Sequence, residues 1–116
     1  MSPPLPLLQG TLDVLILHAL SDEPRHGYAV SRWIRQASSD AFQVEEGALY
    51  PALRRLEARG WLESTWATTD TGREARFYRL TDEGERALGS ETRSWNRYVE
   101  AMARVLGRPS PGTARP

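Results

Sequence analysis

The sequence predicts a mainly α-helical fold with a small β-hairpin: three helices, the hairpin and then a long last helix, the layout of a winged helix-turn-helix with an added C-terminal helix. Three observations predict it. Apolar residues recur at helical spacing in three separate segments before Trp61. Two aromatic-rich, alternating runs, "WLESTWATT" and "EARFYRLT", flank the turn signal "DTG". After Thr81 the residues Leu88, Thr92, Trp95, Val99, Met102 and Leu106 fall 4, 3, 4, 3 and 4 apart, the seam spacing of a coiled coil.

Taken in order, "SPPLP" opens the chain and cannot start a helical hydrogen-bond ladder, so residues 1–6 are expected to form a flexible arm. From Leu7 the first helix shows a stripe of Leu8, Leu12, Leu15, Ile16 and Ala19, with Val14, Leu17 and Leu20 around the rest. A helix apolar nearly all round must be covered on both sides, and one cover is open to a partner subunit. "SDEPRHG" ends it at Pro24 and opens a second helix near Gly27, whose face is Tyr28, Val30, Trp33, Ile34 and Ala37. The third helix carries "GALYPALRRLEARG". Pro51 would cost ~3 kcal/mol in a helix interior, so the expected start is Gly47 or Ala48, leaving Pro51 at the edge of the first turn. The hairpin follows, with Arg73 at or beside its tip. Thr81 reads as an N-cap with Asp82 and Glu83 behind it, and the last helix runs to about Leu106. The Gly/Pro-rich residues 107–116 are expected to be a disordered tail. The expected divisions are thus 1–6 arm, 7–80 winged helix domain, 81–106 dimerisation helix and 107–116 tail.

A chain of 116 residues is expected to form one domain, burying roughly 65% of its unfolded surface. Cysteine is absent, which removes disulfides and thiolate chemistry. No apolar run approaches the ~20 residues of a membrane span, and no basic leader opens the chain, so a cytoplasmic protein is expected. The basic residues number 15, all arginine, against 15 acids. Six arginines against four acids make Gly47 to Leu80 relatively basic, whereas Met1 to Glu46 holds three arginines against six acids. Codon bias explains arginine usage blandly; the alternative is that guanidinium forks suit phosphate and guanine. Only His18 and His26 could serve as neutral-pH bases or metal ligands, no Ser or Asp partner can be assigned to either by spacing, and no glycine-rich phosphate loop follows a strand. No enzyme, cofactor or metal site is expected.

If Leu49, Leu53 and Leu56 point inward, Ala48, Tyr50 and Pro51 form the leading tip of the third helix, with Arg54 and Arg55 one turn behind. Arginine there can grip guanine O6 and N7, and the helix start can hold a phosphate. The bland alternative is a solvated charged face with Arg55 and Glu57 paired to neighbours. At the hairpin, Arg73 suits the minor groove or backbone and Arg76 a phosphate, while Arg79 falls on the opposite strand face. His26, Gly27 and Tyr28 open the second helix, where free N–H groups suit an anion, unless His26 caps its own helix. Trp33, Trp61 and Trp66 read as core or sheet packing.

"LLQGTLDVLILHAL", "HGYAV", "GALYPALRRLEARGWL" and "RFYRLTDEG" together resemble the PadR family of bacterial transcriptional regulators, from about Leu7 to Leu106. The resemblance implies a homodimeric winged-helix repressor that binds a double-stranded DNA operator through its second and third helices. It implies dimerisation through the last helix and the first, placing Leu12, Leu15, Ile16, Leu88, Trp95, Val99, Met102 and Leu106 in the interface. Repression would be lifted by a small molecule or a partner. Some members of the family bind drugs between tryptophans of the last helix, so Trp95 is either dimer core or the wall of a site for an aromatic or cationic effector. The competing class is a winged helix that binds only other proteins, with no specific DNA contact.

Overall fold

The structure, a computed structural model, describes residues 3–8 and 10–108. The elements are α1 (Thr11–Ala19), β1 (Arg25–His26), α2 (Gly27–Ala37), α3 (Glu46–Ala58), β2 (Leu62–Thr68), β3 (Glu74–Leu80) and α4 (Asp82–Val105). The fold is a winged helix: three helices, an antiparallel sheet of order β1-β3-β2, and a long C-terminal helix. Its core gathers Ile16, Leu17, Val30, Ile34, Leu49, Leu53, Leu56 and Leu62, all essentially excluded from solvent. Each contributes about 1.5–3 kcal/mol by leaving water.

Several details depart from the sequence reading. The first helix starts at Thr11, not Leu7, because Gly10 at the N-cap takes φ 86, a left-handed conformation that a right-handed helix cannot include. Leu8 therefore precedes the helix and is exposed. Within residues 3–8, the Leu5 N–H donates to the Ala41 carbonyl at 2.9 Å. The all-round apolar character of α1 is answered largely within one chain, since α2, α3 and α4 all pack on it. Ile16, expected at a subunit interface, is 0% exposed in the core and has no surface to offer a partner.

The short strand β1 was not expected. Arg25 pairs with Tyr78 and His26 with Phe77 across the sheet. Arg25 anchors the segment: its Nη1 donates to the Ala19 carbonyl at 2.5 Å and to Asp22 at 2.7 Å, and its guanidinium lies 5.9 Å from the Trp33 ring centre. The same guanidinium holds the exposed Asp22 carboxyl below its usual range. One arginine thus satisfies a carbonyl at the end of α1 and aims the chain into α2.

The third helix begins one residue earlier than expected, at Glu46, with Glu45 as N-cap, which leaves Pro51 inside it. Pro51 cannot donate to the Gly47 carbonyl four residues back. The arrangement is tolerated because Gly47 is exposed with nothing near it, so water can take that carbonyl, while Leu49, Ala52, Leu53 and Leu56 hold the helix on the core. At the other end Gly60 (φ 84) terminates α3, its N–H reaching Glu57 and the Trp61 N–H reaching Leu56.

In the hairpin Thr68 pairs with Glu74, Trp66 with Arg76, Ser64 with Tyr78 and Leu62 with Leu80. Thr69 closes the loop through its N–H to the Arg73 carbonyl at 2.7 Å, and Gly72 (φ 83) makes the reversal. Thr81 joins wing and last helix: its hydroxyl donates to the Gly60 carbonyl at 2.6 Å and accepts from the Gly84 N–H at 3.0 Å, and its own N–H reaches the Trp61 carbonyl. The first half of α4 lies on α1, where Thr92 Oγ1 meets His18 Nε2 at 2.9 Å. Its second half leaves Tyr98, Met102, Val105 and Leu106 exposed. Gly107 (φ 73) ends it, with the Arg108 N–H returning to Ala103. The rest of the expected tail, 109–116, and Met1 and Ser2 of the arm lie outside the described residues.

Candidate nucleic-acid interface

Successive helical residues are rotated by about 100°, so the four buried residues of α3 fix what faces out. Gly47, Pro51, Arg54 and Ala58 form the stripe opposite the core, and all four are exposed. One flank carries Ala48, Arg55 and Arg59 toward α1; the other carries Tyr50 and Glu57 toward the sheet. Arg54 makes no ion pair among the described residues, so its guanidinium is available. Arg55 instead pairs with Asp13 of α1, and Arg59 lies 3.8 Å from the other oxygen of that carboxylate. Glu57 accepts from the Ser64 hydroxyl at 2.8 Å. For Arg55 and Glu57, then, the neighbour-paired alternative describes the free protein.

Tyr50 is half-buried and lies across Gly27, where a Cβ would stand 2.6 to 2.9 Å from its ring and hydroxyl. Gly27 therefore lets the start of α2 approach the leading turn of α3. His26 caps α2, its Nδ1 accepting from the Ala29 N–H at 3.3 Å. That is the self-capping alternative; with Nδ1 so engaged, the neutral ring carries its proton on Nε2.

Arg76, Tyr78 and Leu80 alternate onto the sheet face that carries Leu62, Ser64 and Trp66, with Tyr78, Leu80 and Leu62 going into the core and the Arg76–Trp66 pair continuing that face toward the tip. Trp66 is 64% exposed and outside the core; of its two expected places it takes the sheet one, with the Arg76 guanidinium across the strand pair 5.4 Å from its ring centre. Tyr28 is covered likewise by Arg32, at 5.6 Å. Between these two arginine-on-aromatic pairs runs a groove of about 750 Å³ that includes His26, Tyr50, Arg73 and Tyr78. Burial, with the Glu57 charge nearby, pushes the Tyr78 phenol up from its ordinary value and keeps it protonated. Arg79 faces away and pairs with Glu63. The structure thus brings together Tyr50, His26, Gly27, Tyr28, Arg73 and Arg76 around one groove, with Arg54 on the adjoining outer stripe, and it diverts Arg55.

Arg32, Trp66 and Asp13 were missed. Arg32 stands four residues after Tyr28 on one helix face, a spacing visible in the sequence. Trp66 opposite Arg76 follows only once the loop length is known, and Asp13 against Arg55 only once α1 and α3 are packed.

At the far side, Trp95 and Tyr98 stack with centroids 5.5 Å apart and planes at 11°. With Gly10, Val14, Glu91 and Ser94 they line a shallow hollow of about 220 Å³ between α4 and the start of α1. Leu12, Leu15 and Leu88 are half-buried against the core, Trp95 and Val99 are half-buried, and Met102 and Leu106 are exposed. Among the described residues no group of three or more His, Asp or Glu side chains is placed to hold a metal, and no helix is long and apolar enough to cross a membrane.

Residues 16–90 match the model of the transcriptional regulator PadR-like family. The chain is 42% identical over 94 residues to the transcriptional regulator Rv3488 of Mycobacterium tuberculosis, covering 79% of each protein. Among solved structures it is similar to the Streptococcus mutans protein smu.1704, at 32% identity and TM-score 0.74 over 94% of this chain and 97% of that one. It is also similar to a PadR-like transcriptional regulator of Bacillus cereus, at 28% identity and TM-score 0.73 over 86% and 95%.

Proposed function

Because the chain belongs to the PadR-like family of transcriptional regulators, we propose that it is a homodimeric repressor that grips operator DNA with α3 and the wing and lets go when a small molecule binds. It is a regulator and not an enzyme, like the relatives it matches. The observation that carries the DNA reading is the outer stripe of Gly47, Pro51, Arg54 and Ala58 standing beside a wing that presents Arg73 and Arg76. A helix about 10–12 Å across fits a major groove about 12 Å wide, and the small residues Gly47, Pro51 and Ala58 let its backbone approach base edges while Arg54 reaches them. Arg73 and Arg76 hold phosphates on the wing side.

The dimer reading is supported by α4, whose apolar stripe continues through Val99, Met102 and Leu106 after α1 has ended beneath it. Genomic fragments selected by the protein are expected to contain two half-sites in inverted repeat, about one helical turn or a multiple of it apart. Enrichment of isolated half-sites would count against the dimer, and no enrichment against operator binding altogether.

The effector reading is supported by the parallel faces of Trp95 and Tyr98 beside the Glu91 carboxylate, a setting suited to a flat cation. In a variant with Trp33, Trp61 and Trp66 replaced by Phe, planar aromatic cations are expected to quench Trp95 fluorescence and weaken operator binding over the same concentration range. Flat Trp95 fluorescence would leave Trp95 as packing only, and quenching without weakened operator binding would count against release by the ligand.

A further inference from the structure

The Asp13 carboxylate is only 14% exposed and is held between two arginines of α3. Arg55, its nearer partner, is 48% exposed, so half of that side chain still meets solvent. Arg59 is 49% exposed and lies 5.0 Å from the Trp61 ring centre, which gives it a second anchor. Both arginines occupy the flank of α3 that turns toward α1. When α3 enters a groove its flanks face the phosphate ridges, so Arg55 stands where a phosphate would also seek it. A carboxylate and a phosphate are rival acceptors for one guanidinium fork.

We propose that Asp13 is a positioning residue that withholds Arg55 from the DNA backbone and so limits sequence-independent binding. This rests on α3 being the DNA-facing helix. Non-specific binding is almost wholly electrostatic, each neutralised phosphate steepening the salt dependence of log K by about 0.9. One withheld arginine therefore costs the non-specific complex its full share. The operator complex loses less, because its base contacts depend on the pose of α3, and the Asp13 clamp fixes that pose against α1. The device trades raw affinity for discrimination, in a chain whose net charge is zero.

The test measures binding of the full chain to an operator duplex and to a scrambled duplex across a salt series, by fluorescence anisotropy. Asp13→Asn is expected to bind the scrambled duplex several-fold tighter at ~0.1 M salt, to steepen its salt slope by about one, and to lower the ratio of operator to scrambled affinity. Adding Arg55→Gln to that variant should restore the wild-type slope. Arg55→Gln alone should leave the wild-type slope unchanged, and this arm decides the matter even if Asp13→Asn unfolds. A wild-type slope in Asp13→Asn, or a slope flattened by about one in Arg55→Gln alone, overturns the proposal while leaving operator binding intact. A wild-type protein that binds neither duplex overturns the DNA reading and this proposal with it.

Discussion

Arg54→Ala is expected to weaken operator binding by about 1–3 kcal/mol, roughly 5- to 150-fold, and to relax the base preference at one position of each half-site. The basis is its place on the outer stripe of α3, one turn behind Pro51, with no carboxylate partner among the described residues to compete for it. Thermal stability should barely move, since an exposed, unpaired side chain contributes within about 0.5 kcal/mol. Arg55→Ala is the internal comparison: being paired to Asp13 and off the outer stripe, it should weaken operator binding less than Arg54→Ala does. Anisotropy titrations of operator duplexes varied base by base would measure both. Equal losses for the two variants would mean that the groove meets α3 midway between Arg54 and Arg55, which stand about 100° apart around the helix.

Gly84→Ala should produce the largest loss of stability. Gly84 follows the N-cap Thr81 in the first turn of α4, and a Cβ there would drive into the carbonyl of Trp61. Backbone cannot swing aside as a side-chain end can, so α4 must shift off the end of α3. Helix propensity alone would make the same substitution stabilising by up to about 1 kcal/mol. The clash outweighs it, for an expected net loss of about 2–3 kcal/mol, near the upper end of overpacking. At fixed protein concentration the midpoint should fall by about 10 °C or more. Gly89→Ala in the same helix has the opposite expectation, a gain of up to about 1 kcal/mol, because its Cβ would meet only the mobile end of Arg93, 3.4 Å away. Matching shifts in the two variants would show that the Trp61 carbonyl does not limit the approach of α4.

Local signals made most of the elements legible. Thr81 capped the last helix where the sequence placed it, Gly27 opened the second, and the alternation around "DTG" located the wing. What escaped depended on partners far along the chain. The two residues of β1 have no strand signature of their own and become a strand only because Tyr78 and Phe77 lie alongside. Periodicity identified Ile16 as apolar but could not tell which of two apolar faces of α1 would meet the core. Propensity moved the expected start of α3 toward Pro51, whereas burial of Leu49 and Leu53 outweighed the lost hydrogen bond. Among the candidate site residues, the exposed position of Arg54 followed from phase alone; the pairing of Arg55 did not, because its partner sits 42 residues earlier.

The junction at Gly60, Trp61 and Thr81 and the short strand β1 together make the wing a braced beam. Its strands are held at one end by the three residues that also seat α4, and β1 grips β3 again at Phe77 and Tyr78. Only residues 66–68 and 74–76 and the loop project beyond that grip, about 10 Å of strand at about 3.4 Å per residue. A tilt of about 5° there moves the end of the strands by only about 1 Å, so the brace, and not the full length of the hairpin, sets how far Arg73 can travel.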